Sequence, residues 1–214
     1  MPKFDSVILD VDSTLCNIEG IDWLAARRGG EVAAEVAQLT ERAMDGEIPL
    51  ESVYGIRLAI IRPTISDIAA LARTYADLLA PGAREAVFGL RDAGVSVALV
   101  SGGIRQAIRP LARELGFSDG SLHAVSLSFG DDGEFTGYDE RSPLTTQHGK
   151  KEVAAVLGLP RPSLAVGDGV TDAAMRASTD AFAAYVGFVR RESVVGTADY
   201  VVSSFRELTD LVLS

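Results

Sequence analysis

Five short apolar runs, separated along most of the chain by patterns typical of amphipathic helices, constrain the fold most strongly. They span residues 6–10, 95–100, 163–167, 181–186 and 199–202. Continuous apolar runs favour strands that are buried on both faces, as in parallel sheets. The helical patterns at about 82–93, 103–115 and 149–157 each stop at a glycine, which is a helix stop signal. Strands that alternate with helices predict an α/β fold with an open, mostly parallel sheet and helices on both faces.

One segment departs from this alternation. Residues 16–79 contain no convincing strand, but they carry helical patterns at about 20–28, 31–45, 50–60 and 66–79. An all-helical insertion directly after the first strand lies next to the strand ends, which is where open α/β folds bind ligands. We therefore expect a small helical cap domain at 16–79 and an α/β core domain formed by 1–15 and 80–214. The turn sequence GDDGEFTG predicts that residues 123–138 form a small antiparallel hairpin.

Composition narrows the possible functions. The 214-residue chain carries a formal net charge of −10, which argues against a nucleic-acid-binding protein because such proteins need a basic face. An anionic substrate would need a locally positive site, made by a metal ion or by a few cationic side chains. No apolar run approaches the roughly 18 residues of a membrane span, and the N-terminus lacks the features of a secretory signal. With Cys16 as the single cysteine, these features predict a cytoplasmic protein without membrane partners, and they carry no signal for an oligomeric state.

Two pairs of carboxylates follow two of the predicted strands. Asp10 and Asp12 end the run VILDVDST, and Asp168 and Asp172 lie in GDGVTD after the strand at 163–167. Each pair alone is also typical of an ordinary turn, where aspartate is common. In one parallel sheet, however, the strand ends converge, and clustered carboxylates repel each other unless a hard cation such as Mg²⁺ lies among them. The two pairs together predict a magnesium site.

Ser101, Gly102 and Gly103 follow the strand predicted at 95–100. A short hydroxyl followed by two glycines lets backbone N–H groups approach an anion, at a predicted helix start that favours negative charge. A plain N-cap and turn is an alternative explanation of the same residues. The segment is therefore a candidate anion-binding loop.

The helix predicted at about 149–157 begins with two lysines, an unfavourable place for cations because the helix dipole is positive there. At 3.6 residues per turn, Lys150 shares a face with Val153 and Ala154, the side expected to pack inward, whereas Lys151 lies about 100° away. We therefore expect Lys150 to reach a buried anion and Lys151 to face solvent.

In chain order, the segments DVDST, SGG, GKKE and GDGVTD resemble the motifs of the haloacid dehalogenase (HAD) superfamily of phosphohydrolases: DxDxT, a strand-end Ser or Thr, a Lys, and GDxxxD. The resemblance implies a Rossmann-like core, an inserted cap and phosphoryl transfer through an aspartyl-phosphate. Matched onto this chain, it implies that Asp10 is the nucleophile. It also implies that Asp12 acts first as general acid and then as general base.

The same resemblance assigns the remaining motif residues. The groups implied to hold the phosphoryl oxygens are Ser101, the N–H groups of Gly102 and Gly103, and Lys150. The groups implied to hold Mg²⁺ are Asp10, the backbone carbonyl of Asp12, and Asp168. Asp172 would lie behind them and orient Lys150 or a metal-bound water.

Within this superfamily the chain is most similar to the phosphoserine phosphatases, over about residues 5–205. The similar segments are DVDSTLCNIEGID, ERAMDGEIPLESVYGIRLAII and GDGVTDAAM. The resemblance implies that Glu19 pairs with the ammonium of the substrate and that Arg57 pairs with its carboxylate through a planar fork. Met44 and Thr171 are implied to border the substrate, while Leu50 stands where the family often has a phenylalanine.

Each of these cap positions has an ordinary alternative. Glu19 and Arg57 are charged residues of a type that is mostly exposed, and a methionine such as Met44 on an amphipathic helix is usually core filling. Leu50 keeps the pocket wall apolar but removes the shape of a ring. The substrate assignment therefore depends on the resemblance together with the charges of Glu19 and Arg57.

The sequence as a whole favours a Mg²⁺-dependent phosphomonoester hydrolase that converts O-phospho-L-serine to L-serine and phosphate. One alternative is a phosphatase for another small phosphorylated metabolite, which Leu50 keeps open. A second is a phosphotransferase that passes the phosphoryl group to an acceptor alcohol, since both reactions share their first half. A catalytically silent binding module is disfavoured because Asp10, Asp12 and Lys150 are all present.

Overall fold

The computed structural model describes residues 1–44 and 47–214, apart from the side chain of Met44. Within those residues the strands are β1 (Ser6–Leu9), β2 (Ser96–Ile104), β3 (Leu122–Val125), β4 (Leu127–Phe129), β5 (Phe135–Tyr138), β6 (Ser163–Gly167), β7 (Ala181–Tyr185) and β8 (Tyr200–Val202). The first five α-helices are α1 (Gly20–Ala26), α2 (Gly30–Met44), α3 (Leu50–Ile61), α4 (Ile65–Asp77) and α5 (Ala83–Asp92). The others are α6 (Arg105–Glu114), α7 (Gly149–Val156), α8 (Val170–Ala173), α9 (Glu192–Val195) and α10 (Phe205–Leu213). None of the described helices is both long and apolar enough to cross a membrane.

A six-stranded parallel sheet in the order β3–β2–β1–β6–β7–β8 forms the centre of the fold. Every residue of β1, β6 and β7 is buried, which requires cover on both faces of the sheet. The direction in which strands are added reverses between β1 and β6, and the carboxyl ends of strands at such a point form a crevice that binds ligands. The predicted Rossmann-like α/β fold is confirmed, and the five predicted apolar runs correspond to β1, β2, β6, β7 and β8.

Two details of the prediction were wrong. Residues 123–125 belong to β3, which pairs in parallel with β2 at the edge of the sheet, so that only β4 and β5 form the hairpin. The four-residue run LHAV is short and interrupted by a histidine, and this concealed a strand. In addition, β2 continues to Ile104 through a register shift, so Ser101, Gly102 and Gly103 lie in an irregular strand end and not at the start of α6.

Four helices, α1 to α4, lie between β1 and α5 in the chain. The chain enters and leaves this helical region through two connecting segments, around residues 15–17 and 78–80, that pair with each other. Asn17 N donates to Leu78 O at 2.9 Å, and Ala80 N donates to Leu15 O at 2.9 Å. Entry and exit therefore lie side by side, and the division into a cap at 16–79 and a core at 1–15 and 80–214 stays a prediction.

The helical region contacts the core through α4, which packs along α6, and through α3 and the hairpin. The Tyr54 hydroxyl on α3 donates to Gly102 O at 2.8 Å, and the Tyr54 ring lies 5.4 Å from the ring of Tyr138 on β5. At the other end of the hairpin, Ile65 N donates to Gly133 O at 3.0 Å. These contacts hold α3 against the end of β2 and the start of α4 against the hairpin.

Asp67 connects the first and last of these helices. It forms a capping box with Thr64 at the start of α4, in which Asp67 N donates to Thr64 Oγ1 and Thr64 N donates to Asp67 Oδ2. The carboxylate also accepts hydrogen bonds from Arg27 Nε at 3.0 Å and Arg28 Nη2 at 2.6 Å, just beyond α1. Burial raises the pKa of Asp67, but these hydrogen bonds outweigh it and hold the pKa well below its ordinary value.

Candidate active site

A cavity lies at the carboxyl ends of β1, β2 and β6, under helices α1 and α3. Its lining contains almost every residue singled out in the sequence: Asp10, Asp12, Glu19, Leu50, Arg57, Ser101, Gly102, Gly103, Lys150, Asp168, Thr171 and Asp172. The side chain of Met44, the remaining predicted site residue, lies outside the described residues. The fold thus brings side chains that are far apart in the sequence, from Asp10 to Asp172, together around one cavity.

Lys150 lies between two carboxylates at the bottom of this cavity. Its Nζ donates to Asp172 Oδ1 at 2.7 Å and is also 2.7 Å from Asp10 Oδ1. Burial lowers the pKa of Lys150, but the charges of Asp10 and Asp172 outweigh it and raise the pKa above its ordinary value. Lys150 is 7% exposed, whereas Lys151 is exposed, as the helical spacing predicts.

Two glycines make the close packing around Lys150 possible. A Cβ at Gly149 would lie 1.6 Å from Pro143 O, so helix α7 can begin against that turn only with glycine in this position. A Cβ at Gly167 would lie 2.2 Å from Asp172 Cγ. The bare backbone at the end of β6 therefore makes room for the carboxylate that receives the hydrogen bond of Lys150.

Asp168 follows β6 and is held by an arginine that lies beyond β7. Arg191 Nη1 donates to Asp168 Oδ2 at 2.5 Å, and Thr14 Oγ1 lies 3.4 Å from Asp168 Oδ1. Burial and the neighbouring charge of Asp172 raise the pKa of Asp168 to about 7, although Arg191 and Lys150 act in the opposite direction. The raised pKa shows that Arg191 and Lys150 do not offset the combined effect of burial and of the Asp172 charge on this carboxyl.

Asp12 lies two residues beyond Asp10 and faces the helical region. Tyr75 Oη donates to Asp12 Oδ1 at 2.5 Å, and Gly20 N donates to Asp12 Oδ2 at 3.3 Å. Burial raises the pKa of Asp12 to about 6, against the effect of these two hydrogen bonds. A carboxyl group with a pKa in this range exchanges a proton readily near neutral pH, which suits general acid and base catalysis.

The end of β2 supplies a backbone surface beside these acids. Ser101 is 1% exposed, and its Oγ accepts a hydrogen bond from Gly103 N at 2.9 Å. A Cβ at Gly103 would lie 3.2 Å from Asp12 Oδ2. The strand end therefore runs close past the predicted proton donor, where an oxyanion would meet both Asp12 and the hydroxyl of Ser101.

Glu19 borders the cavity at the N-terminal cap of α1. Ser13, whose φ of 51° is in the left-handed region, donates its hydroxyl to Glu19 Oε1 at 2.6 Å. Burial and the charge of Asp12 raise the pKa of Glu19 to about 8. A cationic group placed beside Glu19 would relieve this electrostatic cost.

Arg57 on α3 is the cation on the same side of the cavity. It is 3% exposed, its Nη1 donates to Thr40 Oγ1 at 3.0 Å, and its Nε is buried without a hydrogen-bond partner among the described residues. Burial lowers the pKa of Arg57, while the charge of Asp22 opposes this change. A buried guanidinium with a free donor is a binding group for an anion. Around it, Leu50 and Ile21 give the cavity an apolar wall.

The acidic cluster fits a divalent metal ion. Asp10, Asp168 and Asp172 each offer a carboxylate oxygen, and these oxygens lie within 4.8 Å of one another. Asp10 Oδ1 is buried, and although Lys150 lies at ion-pair distance, no described donor is directed at this oxygen in hydrogen-bond geometry. Buried carboxylate oxygens in excess of cations are the donor set that hard cations prefer.

Four side chains at this site carry no recognisable signal in the sequence: Asp22, Tyr54, Tyr75 and Arg191. The two tyrosines lie within helical patterns, where an aromatic residue reads as core filling. Asp22 reads as an ordinary acid in the first turn of α1. Arg191 is 23 residues from its partner Asp168, and only the tertiary fold brings the two together.

Comparison with known proteins agrees with this geometry. The family model for haloacid dehalogenase-like hydrolases matches residues 4–179. Over 209 residues the chain is 37% identical to the chloroplastic phosphoserine phosphatase of Arabidopsis thaliana, an alignment that covers 95% of this chain and 70% of that protein.

Solved structures show the same likeness over nearly the whole chain. A phosphoserine phosphohydrolase-like protein from Francisella tularensis superposes with a TM-score of 0.87 at 27% identity, covering 97% of this chain and 99% of the other. A phospho-aspartyl intermediate analogue of phosphoserine phosphatase superposes with a TM-score of 0.82 at 27% identity, covering 97% of this chain and 98% of the other.

Proposed function

The chain belongs to the haloacid dehalogenase-like hydrolase family, and from this we propose that it hydrolyses O-phospho-L-serine to L-serine and phosphate. One observation carries the proposal: a single cavity joins the Asp10–Lys150–Asp172 cluster to a carboxylate, Glu19, and a buried arginine, Arg57. Phosphoserine carries a phosphate, an ammonium and a carboxylate, and each of these groups has an oppositely charged partner in that cavity.

In the first half of the proposed reaction, Asp10 attacks the phosphorus atom. A bond forms between phosphorus and the Asp10 carboxylate oxygen, and the bond between phosphorus and the serine oxygen breaks. Asp12 gives its proton to the departing serine oxygen. The pKa of Asp12, raised by burial to about 6, keeps a fraction of this carboxyl protonated near neutral pH. Tyr75 and Gly20 hold it in place.

In the second half, a water molecule attacks the phosphorus of the aspartyl-phosphate. Asp12, now ionised, takes a proton from this water, the bond to Asp10 breaks, and phosphate is released. Throughout both halves, the Ser101 hydroxyl, the N–H of Gly102 and Lys150 bind the phosphoryl oxygens. The N–H of Gly103, which was also predicted to bind them, donates instead to Ser101 Oγ at 2.9 Å and leaves the hydroxyl hydrogen of Ser101 free to donate. Asp172 keeps Lys150 oriented through the hydrogen bond of 2.7 Å.

The proposed cofactor is Mg²⁺, held by Asp10, the backbone carbonyl of Asp12, and Asp168. When bound there, it neutralises negative charge on the phosphoryl group. The buried carboxylate oxygens of Asp10, Asp168 and Asp172, which lie within 4.8 Å of one another, support a divalent cation among these residues.

The residues that select the substrate lie at the N-cap of α1 and on α3. Glu19 pairs with the ammonium of phosphoserine, and Arg57 with its carboxylate. Leu50, 6% exposed and part of the cavity wall, packs against the short carbon chain, and Thr171 adds a hydroxyl near the phosphoryl group. This pairing predicts that compounds lacking either the ammonium or the carboxylate are poorer substrates.

The experiment that tests the proposal measures phosphate release with Mg²⁺ from phosphoserine, O-phosphoethanolamine, 3-phosphonooxypropanoate and glycerol 3-phosphate. We expect the highest kcat/KM for phosphoserine, because only it fills both charged positions. Equal rates for all four compounds would contradict the substrate proposal while leaving phosphatase activity intact. Adding an acceptor alcohol and measuring a new phosphate ester separates hydrolysis from phosphotransfer.

A single variant tests the nucleophile. Asp10→Asn keeps the size of the side chain but removes the nucleophilic carboxylate, so we expect a loss of at least about a thousandfold in kcat and no acid-stable, hydroxylamine-labile phosphoenzyme. Normal turnover by this variant would exclude Asp10 from the attack.

The buried free thiol Cys16 supports a location in the cytoplasm, since reducing compartments preserve such thiols.

A further inference from the structure

Arg57 is connected to Asp22 through the hydroxyl of Thr40. Arg57 Nη1 donates to Thr40 Oγ1 at 3.0 Å, and Thr40 Oγ1 donates to Asp22 Oδ1 at 2.7 Å. The three residues come from three different helices: Asp22 from α1, Thr40 from α2 and Arg57 from α3. One chain of hydrogen bonds therefore joins α2 to α1 and α3, the two helices that cover the cavity.

The direction of this chain follows from the chemistry of the groups. A guanidinium has donors only, whereas a hydroxyl has one donor and two acceptor positions. Thr40 must therefore accept from Arg57 and use its single hydrogen elsewhere. Two acceptors are in range, Asp22 Oδ1 at 2.7 Å and Val36 O at 3.0 Å, and the ionised carboxylate is the stronger of the two.

Arg57 keeps donors besides the one given to Thr40, and its side chain lines the cavity. Thr40 is 7% exposed and Arg57 3% exposed, so solvent does not compete for this hydrogen bond. Arg57 Nε has no partner among the described residues, and both Arg57 and Asp22 line the cavity. The Tyr54 ring lies 5.6 Å from the guanidinium carbon and limits its movement on another side.

We propose that Thr40 and Asp22 are positioning residues for Arg57: they fix the guanidinium so that its free edge meets the carboxylate of the substrate, and they thereby set the preference for carboxylate-bearing phosphomonoesters. This inference rests on the proposed function. An arginine side chain loses much rotational freedom when it binds an anion, and a guanidinium that is already fixed loses less. Removing the hydroxyl frees the side chain and weakens carboxylate binding specifically.

The test compares phosphoserine with O-phosphoethanolamine, which retains the ammonium but lacks the carboxylate. The measured quantity is the ratio of kcat/KM for the two substrates. Thr40→Val keeps the shape of the side chain and removes its hydroxyl, and we expect this ratio to fall about tenfold, chiefly through KM for phosphoserine. Thr40→Ser restores the hydroxyl and should restore the ratio.

A matched control is Thr74→Val on α4. Like Thr40, Thr74 is a helical threonine with the carbonyl four residues earlier in range of its hydroxyl, at 3.2 Å to Ala70 O, but it does not line the cavity. We expect no change in the ratio for this variant. In an Arg57→Gln background, Thr40→Val should have no further effect, since its action passes through Arg57. Circular dichroism and the melting temperature establish that each variant is folded.

Asp22→Asn supplies a second test that depends less on folding, because it changes charge with little change in shape. If Asp22 acts through Arg57, the ratio falls for this variant as it does for Thr40→Val. The contrary result is that Asp22→Asn lowers kcat/KM equally for both substrates while Thr40→Val lowers it for neither. Asp22 would then contact the ammonium directly, and the inference would be wrong.

The two proposals fail in different ways. A wild-type protein that does not prefer phosphoserine to O-phosphoethanolamine contradicts the proposed substrate and, with it, the inference. A wild-type protein that has this preference, together with a Thr40→Val variant that retains it, overturns the inference alone.

Discussion

Tyr75, on helix α4, donates a hydrogen bond of 2.5 Å to Asp12, in the turn that follows β1. This bond links the helical region to the predicted proton donor of the core. Both partners are shielded from solvent, since Tyr75 is fully buried and Asp12 is partly buried. The orientation of Asp12 therefore depends on the position of α4.

Tyr75→Phe should reduce kcat for phosphoserine by about tenfold, because Asp12 loses one of the two donors that hold it while its ability to transfer a proton remains. Steady-state kinetics with Mg²⁺ check this expectation. Tyr200→Phe on β8, whose ring packs against Phe4 outside the cavity, is the matched control and should leave kcat within about twofold. If kcat is unchanged in Tyr75→Phe, the orientation of Asp12 does not depend on α4.

Removing divalent metal should abolish phosphate release, and Mg²⁺ should raise the melting temperature of the wild-type protein. A ligand that binds only the folded state stabilises it in proportion to the logarithm of its concentration above Kd. Asp168→Asn removes a charge from the cluster, so this variant should need at least about tenfold more Mg²⁺ for the same increase in melting temperature.

Asp180→Asn is the control for this titration, because Asp180 pairs with Arg161 and not with the cluster. It should respond to Mg²⁺ like the wild type. The metal site would be ruled out if the wild-type protein released phosphate in the presence of a chelator and its melting temperature did not change with Mg²⁺.

Glu19→Gln should stabilise the metal-free protein at alkaline pH. The folded protein holds the Glu19 pKa at about 8, above the ordinary value of 4.5, so folding keeps a proton bound that the unfolded chain loses. The free energy of unfolding therefore falls as the pH rises from about 4.5 to 8. Denaturant titrations with a chelator should find the variant more stable by about 1–3 kcal/mol at pH 8.5 and equal to the wild type near pH 4.5.

Glu31→Gln, on the exposed start of α2, controls for the loss of one negative charge. It should show no comparable dependence on pH. A Glu19→Gln difference that is constant across this pH range would mean that the effect comes from something other than the titration of Glu19.

Asp67→Asn should destabilise the protein by about 1–3 kcal/mol at neutral pH, because charged hydrogen bonds to Arg27, Arg28 and Thr64 are weakened. The folded pKa lies below the ordinary value of 3.8, so this stabilisation is complete above about pH 4 and is lost as the pH falls further. Urea titrations from pH 7 to pH 3 should therefore show the two proteins converging.

The control is Asp77→Asn at the other end of α4, where the side chain is exposed. It should change the free energy of unfolding by less than about 0.5 kcal/mol. A difference between Asp67→Asn and wild type that persists unchanged at pH 3 would contradict the role given to the carboxylate charge.

The sheet and the acidic edge were predictable because both depend on local pattern. Runs such as 163–167 are mostly apolar and are followed directly by an aspartate, and a parallel sheet brings the ends of such strands to one edge. The helical spacing around Lys150 likewise predicted its burial. In each case the relevant information lies within about ten residues.

What could not be predicted depends on contacts between distant parts of the chain. Strand β3 is identified as part of the sheet by its pairing with β2. Arg191 is identified as a site residue by its hydrogen bond to Asp168. The chain from Asp22 through Thr40 to Arg57 requires the packing of three helices. A polar residue on an amphipathic helix looks the same in sequence whether it faces solvent or a cavity.

The paired connecting segments around residues 15–17 and 78–80 have a consequence for how such a protein can change over evolution. Since the two ends of the insertion are already neighbours, a short turn could replace the whole helical region without stretching the core. The entropy of closing a loop grows only slowly with its length, so a larger or smaller insertion at the same point would cost the core little. The insertion can therefore change in length and sequence while its two ends stay paired, provided that groups equivalent to Tyr75 and Gly20 still hold Asp12.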